Sequence, residues 1–310
     1  MVMMSNRMHE ACRRVGALTS KLVIAAGAVA LVLATGLPSG VATAAEGGAL
    51  NKLLPQKIRE RGYVVVASDP SFGPPTSYHP ESKPDEWAGS DPDLLRAIGD
   101  LLGVEMRWQA SPFAGIVTGL IGGRYDVASN AMSITPKRLE EIDMVGYFKL
   151  GQTLIVAEGN PQGIKTLDDV CGKRVAVTSG GSQQAALEKY NTTNCTGNPI
   201  NVVGLKAKPD CLLAVESKNA DAAMFGTDYA AYLANDPSSE GAGRFDGLQD
   251  TINVFANYRG FGVNKSNPEL RDAIAAALAE LMKNGTYGKI VEKYGFQSGA
   301  LTEVAVNRAE

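Results

Sequence analysis

Residues 130–138 of this 310-residue chain place a hydroxyl, free backbone amides and a guanidinium close together. Ser133 ends a predicted strand, Thr135 caps the helix that follows, and Arg138 falls in the first turn of that helix. A guanidinium beside a hydroxyl and unpaired N–H groups can bind a carboxylate. A capped surface helix with a solvated arginine is the alternative interpretation of an isolated motif of this kind.

A second candidate site begins at the glycine pair Gly180 and Gly181, which precedes Ser182 and a predicted helix. Backbone N–H groups at such a helix start can bind an anion. The chain has no GxSxG, P-loop or HExxH motif, only 2 histidines, and no Cys/His cluster with metal-ligand spacing. We therefore expect no metal and no cofactor. The net charge of −3 at pH 7 argues against a nucleic-acid-binding protein, which needs a basic surface.

The elements that must position these residues alternate between strands and helices. The β-branched run at 63–67 predicts a buried parallel strand, and Asp91-Pro92 predicts the start of a helix that ends at Gly103. The pattern restarts with a strand at 174–177. Two such stretches of about 100 residues each predict two α/β lobes.

The N-terminal segment indicates export. Arg13 and Arg14 belong to a basic region, residues 22–37 form an apolar run, and Ala42-Thr43-Ala44 has the small-x-small pattern of a cleavage site. An uncleaved membrane anchor is the alternative, but the run is shorter than the roughly 20 apolar residues that a spanning helix needs. We therefore predict a signal peptide over residues 1–44 and a periplasmic, extracellular or cell-envelope location.

Further short motifs follow one another along the chain. They include Asp69-x-x-Phe72-x-Pro74, Asp91-x-Asp93-Leu94-Leu95, Gly123-Arg-Tyr-Asp126, Ser133-Ile-Thr-x-x-Arg138, Gly172-Lys-Arg-Val-Ala-Val177 and Asn284-Gly-Thr-x-x-Lys-Ile290. Taken in order, these motifs resemble the extracellular solute-binding proteins, family 3, which serve polar amino-acid ABC importers. The resemblance implies the α/β, two-lobed type II periplasmic binding protein fold with two hinge strands. It places lobe 1 at 61–153 and 257–300 and lobe 2 at 154–256, with a linker at 45–60 and a C-terminal tail at 301–310.

The resemblance also implies a ligand site between the lobes. Arg138 and Ser133 match positions that bind an amino acid's α-carboxylate, and Ser182 matches the contribution of the opposite lobe. Phe72 and Phe113 match aromatic residues that enclose the ligand side chain, although either ring could instead belong to the core. Asp69 matches an acid near that side chain. The expected ligand-binding residues are Asp69, Phe72, Phe113, Asn130, Ala131, Ser133, Arg138, Gly181, Ser182, Thr227 and Asp228.

One position departs from the family pattern. The acid that binds the α-ammonium in relatives falls at Gly226 here, and Asp228 lies two residues further on. Asp228, helped by the Thr227 hydroxyl, replaces the missing acid under one hypothesis. Under the other, the ligand has no free α-ammonium and Asp228 caps a helix.

The cysteines fit an exported protein. Cys171, Cys195 and Cys211 remain after the predicted cleavage, so one disulfide and one free thiol is the simplest arrangement. The resemblance implies that Cys171 pairs with Cys195. The expected function is capture of a small amino acid or related zwitterion and delivery to a membrane permease by a monomeric, non-enzymatic protein. A recruited dehydratase of the same fold, or a ligand-sensing adaptor for a signalling receptor, are the alternatives.

Overall fold

The computed structural model describes residues 50–235, 239, 241–248 and 253–309, and the predicted signal peptide at 1–44 lies outside them. Within these ranges, ten strands form one mixed sheet. The strands are β1 (Tyr63–Ser68), β2 (Glu105–Ala110), β3 (Val127–Ser133), β4 (Ile142–Ala157), β5 (Arg174–Thr178), β6 (Asn201–Leu205), β7 (Ala222–Gly226), β8 (Phe245–Gly247), β9 (Val254–Asn264) and β10 (Ala300–Val306).

Helices cover the faces of this sheet. Short 3₁₀ turns are formed by Pro70–Phe72, Asp168–Val170 and Gln297–Gly299. None of the helices that the structure describes has both the length and the apolar composition needed to cross a membrane. The α-helices are α1 (Gln56–Arg61), α2 (Ser90–Leu102), α3 (Phe113–Ile121), α4 (Pro136–Glu141), α5 (Ser182–Thr193), α6 (Lys208–Glu216), α7 (Thr227–Asn235), α8 (Pro268–Lys283) and α9 (Thr286–Lys293).

Two parallel three-stranded groups are joined by the long strands β4 and β9. Strand β1 lies between β2 and β3, and β5 lies between β6 and β7, with every pair parallel. Strand β4 pairs antiparallel with β9 from Ile142 to Gln152 and with β7 from Gln152 to Ile155. Each group with its helices forms one lobe, and β4 and β9 cross between the lobes. The predicted two-lobed α/β fold is confirmed.

Apolar side chains fill each lobe on both faces of its sheet. In the first lobe, α2 packs Leu94, Leu95 and Ile98 with no exposure, and Gly103 ends that helix in the left-handed conformation with φ 64°. Glycine suits this position because a Cβ is disfavoured at positive φ. In the second lobe, Val175 and other strand residues form a separate cluster. The lobes therefore have their own cores, as a pair of bodies joined by two strands requires.

The predicted disulfide between Cys171 and Cys195 is confirmed, with 5.3 Å between the Cα atoms. It ties the turn before β5 to the loop after α5, next to the strand and helix that carry one wall of the cleft described below. Cys211 is buried and unbonded, and burial raises the pKa of its thiol to about 12. Residues 301–310, expected to form a tail, are mostly occupied by strand β10, which pairs with β4.

Candidate functional site

A narrow cleft lies where the two lobes meet. Strand β3, α3 and α4 contribute from one lobe, β5, α5, α6 and β7 contribute from the other, and β9 adds one residue. Clefts at the ends of strands in α/β sheets are common ligand sites. The described residues that line it are Phe72, Phe113, Ala131, Met132, Ser133, Arg138, Thr178, Gly181, Ser182, Gln183, Lys208, Phe225, Gly226, Asp228 and Arg259.

Ser133 and Arg138 meet at the start of α4, as the sequence predicts. The Thr135 hydroxyl accepts from the Arg138 backbone N–H at 3.3 Å and caps the helix. The Arg138 side chain folds back, and its Nη1 donates to the Ser133 carbonyl oxygen at 2.8 Å. Burial, and secondarily the positive charge of Arg259, lower the pKa of Arg138 to about 10, so its guanidinium stays charged at neutral pH. A charged donor group is therefore held at the cleft wall.

Direct hydrogen bonds connect the two lobes at this point. The hydroxyls of Ser133 and Ser182 lie 2.8 Å apart, and Gln152 Nε2 donates to Ser182 Oγ at 3.3 Å. Nη2 of Arg138 also donates to the Gly180 carbonyl oxygen at 3.3 Å. The structure is thus a closed arrangement, in which the two predicted carboxylate-binding segments face each other.

Two aromatic rings form the apolar wall of the cleft. Phe72 and Phe113 stack with 5.2 Å between their ring centroids. The Arg138 guanidinium carbon lies 5.6 Å from the Phe113 centroid, and Lys208 Nζ lies 4.0 Å from that of Phe72. Lys208 also lies 4.1 Å from the ring centroid of Tyr229, so its ammonium is held between rings of the two lobes.

Asp69 and Asn130 do not line the cleft. One Asp69 oxygen accepts from the Ser71 backbone N–H at 3.0 Å and its hydroxyl at 2.6 Å, and the other accepts from the Phe113 backbone N–H at 2.8 Å. The Asn130 side chain bonds the backbone N–H and carbonyl of Asp69. The side chains of Asp69 and Asn130 thus form hydrogen bonds to neighbouring parts of the protein itself. These bonds hold the segments that carry Phe72 and Phe113 in place.

A buried carboxylate, Asp91, organises the backbone beside the cleft. It accepts from the N–H groups of Asn130 and Ala131 at 2.8 and 2.9 Å, from the Ser129 hydroxyl at 2.7 Å and from the Tyr147 hydroxyl at 2.6 Å. Asn130 and Ala131 have φ of 94° and 43°, a strained region for residues with a Cβ. Burial raises the pKa of Asp91. The carboxylate therefore stabilises a backbone turn that the chain would not adopt by itself.

Asp228 lies in the cleft, whereas Thr227 does not. A Cβ at Gly226 would overlap Oδ1 of Asp228, so glycine leaves the space that this carboxylate uses. Thr76 Oγ1 donates to the other Asp228 oxygen at 3.4 Å. The Thr227 hydroxyl instead donates to the Gly151 carbonyl oxygen at 3.4 Å. The cleft thus receives a carboxylate from the first turn of α7, two residues after position 226.

Arg259 is a lining residue that sequence analysis missed. It lies on β9, is 4% exposed, and donates through Nη1 to the Ser133 hydroxyl and through Nη2 to the Gly151 carbonyl oxygen at 3.5 Å. Burial lowers the pKa of Arg259, while the Asp228 charge opposes this shift. A signal was present in the sequence, since Arg259 is a charge inside the otherwise uncharged run Tyr258 to Val263. Lys208, the other missed cation, offered no comparable signal.

Residues 64–298 match the family model for bacterial extracellular solute-binding proteins, family 3. The chain belongs to this family. The match covers every predicted site residue. The structure brings eight of the eleven predicted residues into the cleft lining, and Asp69, Asn130 and Thr227 lie outside it.

Several proteins that are named for the amino acids they bind are similar to this chain. The lysine/arginine/ornithine-binding periplasmic protein of Escherichia coli K12 is 29% identical over 79% of this chain and 95% of its own. The histidine-binding periplasmic protein of Salmonella typhimurium is 26% identical over 78% and 88%. Among solved structures, a mutant of the T. maritima arginine-binding protein ArgBP has a TM-score of 0.67 and 28% identity over 77% and 97%.

One further structural relative bears on the alternative that this protein is a dehydratase. The ancestral amino-acid-binding protein AncCDT-1, a precursor of cyclohexadienyl dehydratase, has a TM-score of 0.68 and 26% identity, over 79% of this chain and 100% of its own. In the part of the chain that the structure describes, no group of three or more His, Cys, Asp or Glu residues is placed to hold a metal ion.

Proposed function

We propose that this solute-binding protein captures a small polar amino acid between its lobes and delivers it to an ABC importer. The observation that carries the proposal is the meeting of Arg138, Ser133 and Ser182 across the cleft. A carboxylate placed there would accept charge-assisted hydrogen bonds from groups of both lobes. A ligand that bridges the lobes stabilises the closed form, which a membrane permease can then recognise.

We also propose a cellular location and lobe boundaries for this protein. Two of the relatives named above, the lysine/arginine/ornithine-binding and the histidine-binding proteins, are periplasmic, which supports export after cleavage of the segment 1–44. The change of β4 partner at Gln152 supports lobe boundaries at 61–153 and 257–300 for lobe 1 and 154–256 for lobe 2. The proposed assembly is a monomer that docks on an ABC permease and binds no nucleic acid.

The α-ammonium of the ligand is proposed to bind Asp228. Its carboxylate is in the cleft, and Gly226 has no side chain to exclude it. An unpaired ammonium in a closed cleft would be costly, so a zwitterionic ligand needs an acid at this place. This reasoning favours the replacement hypothesis over a ligand that lacks a free α-ammonium.

Calorimetric titration with a panel of L-amino acids tests the binding function. At least one should bind and raise the melting temperature, since a ligand stabilises by RT ln(1 + [L]/Kd). Arg138→Met should weaken that binding by about a hundredfold or more, because the charged hydrogen-bond partner of the carboxylate is lost. Lys137→Met is the matched control, since Lys137 is exposed in the same helical turn. A panel without binding, or a loss below about fivefold in Arg138→Met, would contradict the proposal.

A separate comparison tests Asp228. The wild type should prefer an L-amino acid to its 2-hydroxy analogue, and Asp228→Asn should weaken amino-acid binding by about tenfold or more. The double variant Gly226→Asp with Asp228→Ala moves the acid to the family's position and should restore binding. Equal binding of both ligand types, or tighter binding of N-substituted amino acids, would favour the rival hypothesis.

A dehydratase of the same fold remains the second candidate, because one structural relative is a precursor of such an enzyme. Dehydration needs a poised general acid or base. Of the described residues that line the cleft, Asp228 is the one carboxylate, and no histidine or cysteine accompanies it. Incubation of the protein with each ligand that binds, followed by product analysis, separates the two functions, and turnover would contradict the non-enzymatic proposal.

A further inference from the structure

Two guanidinium groups converge on Ser133. Arg138 donates to its carbonyl oxygen and Arg259 to its hydroxyl. They reach the residue from different elements, α4 and β9, and both line the cleft. The proposed function assigns Arg138 to the ligand's α-carboxylate and gives Arg259 no ligand contact. The role of Arg259 therefore needs its own explanation.

Arg259 is short of anionic partners where it lies. In the described part of the chain no carboxylate oxygen comes within 4.0 Å of its side-chain nitrogens, and its two hydrogen bonds go to a hydroxyl and a carbonyl. A guanidinium has five N–H donors, and leaving it buried without an anion is costly. Asp228 is a near neighbour, since its Oδ1 and Nη2 of Arg259 both lie beside Gly226, and its charge raises the pKa of Arg259, but the two groups form no ion pair within 4.0 Å. An anion brought by the ligand would stabilise Arg259 directly.

The lining carries little negative charge to receive a cationic side chain. Asp228 is the one described carboxylate there, and the ligand's α-ammonium already requires it. Asp69, the acid expected near a cationic side chain, accepts three hydrogen bonds from Ser71 and Phe113 outside the lining. A ligand with a cationic side chain, such as arginine, would therefore find no acid for that side chain among these residues.

We propose that the ligand is a dicarboxylic amino acid whose second carboxylate binds Arg259. This inference rests on the proposed function and narrows its ligand class. The α-carboxylate binds Arg138 and Ser182, the ammonium binds Asp228, and the second carboxylate completes Arg259 at the β9 side of the cleft. Each of the two arginines then binds one carboxylate of the ligand, and Asp228 binds the ammonium of the ligand. The rival explanation is that Arg259 serves only as the counter-ion of its neighbour Asp228.

The test compares acids with their amides, which have nearly the same size and shape. Wild-type protein is titrated with L-aspartate, L-asparagine, L-glutamate, L-glutamine and L-arginine. At least one acid should bind about tenfold or more tighter than its amide and than arginine. Arg259→Met should lose about thirtyfold in affinity for the acid and less than about threefold for the amide. Arg107→Met, on the exposed surface of β2, is the matched control and should keep the preference.

Each outcome separates the two proposals. If no amino acid binds, the proposed function fails and the ligand class fails with it. If amides or arginine bind as well as the acids, only the dicarboxylic class fails. If Arg259→Met keeps the preference for acids, the assignment to Arg259 is wrong. If Arg259→Met does not fold, two other measurements test the proposal. They are the ranking of ligand affinities in the wild type and the preference for acids in Arg259→Lys, which retains a cation.

Discussion

Replacement of Asp91 tests whether one buried carboxylate holds the backbone at the cleft. Asp91→Ala would leave four donors without their acceptor: the hydroxyls of Ser129 and Tyr147 and the N–H groups of Asn130 and Ala131. Each buried donor left without a partner costs about 1–3 kcal/mol. We therefore expect the free energy of unfolding to fall by about 4 kcal/mol or more, near the top of the range for single substitutions.

Asp91→Asn is the matched control because it keeps the shape of the side chain. Three of the four donors meet the same oxygen, Oδ2, and an amide oxygen can take that place. The amide nitrogen would then face the hydroxyl of Tyr147, which can accept instead of donate. The expected loss is about 1 kcal/mol, since the variant also removes a buried charge. The two variants should thus differ by about 3 kcal/mol.

Urea unfolding measured from pH 3 to pH 8 provides the assay. Because burial raises the pKa of Asp91 above its ordinary value of 3.8, the unfolded chain loses this proton at lower pH than the folded chain. The contribution of Asp91 to the free energy of unfolding should therefore fall as pH rises from about 3.8 to the raised pKa and then stay constant. Asp91→Asn should lack that component. Equal destabilisation by alanine and asparagine, or a loss below about 1 kcal/mol for alanine, would refute this reasoning.

Three further predictions concern stability and reactivity. Serine at both Cys171 and Cys195, which are 24 residues apart, should lower the free energy of unfolding by about 3 kcal/mol, and a reductant should do the same to the wild type but not to this variant. The Cys211 thiol, with its pKa raised to about 12, should react with iodoacetamide at pH 8 only after denaturation, and fast labelling of the folded protein would contradict its burial. Gly89→Ala should cost about 3 kcal/mol or more in urea unfolding, because at φ 121° its Cβ would overlap the Thr76 carbonyl; a wild-type stability would contradict this contact.

Local signals in the sequence predicted much of the fold. The β-branched run at 63–67 forms β1, and the helix expected from Asp91-Pro92 to Gly103 is α2 with Gly103 as its cap. These signals come from residues that are close together in the sequence, so they can be recognised without knowledge of the tertiary structure. Strand β10 was not predicted, because its pairing with β4 joins positions more than 150 residues apart and leaves no local pattern.

The site shows the same distinction between local and distant contacts. Arg138 and Ser133 are five residues apart, and one capped helix start is enough to bring them together. The position of Asp69 in its motif predicts a ligand contact, but its carboxylate accepts a hydrogen bond from the backbone N–H of Phe113, 44 residues away. Arg259 reaches the cleft only because β9 crosses between the lobes, and it contacts Ser133 across 126 positions. Spacing along the chain contains no information about such a contact.

The contacts that join the lobes explain why a ligand can control closure. The hydroxyls of Ser133 and Ser182 form a neutral hydrogen bond, and the bond from Arg138 to Gly180 is long at 3.3 Å. A neutral hydrogen bond contributes about 0.5–1.5 kcal/mol net, whereas bonds to charged groups contribute about 1.5–3 kcal/mol. A carboxylate that inserts between Ser133 and Ser182 therefore replaces one weak hydrogen bond between the lobes with several stronger hydrogen bonds to a charged group. Since these would engage both lobes, the binding energy of the carboxylate acts directly on the closing equilibrium, and a ligand that contacts one lobe alone cannot shift it.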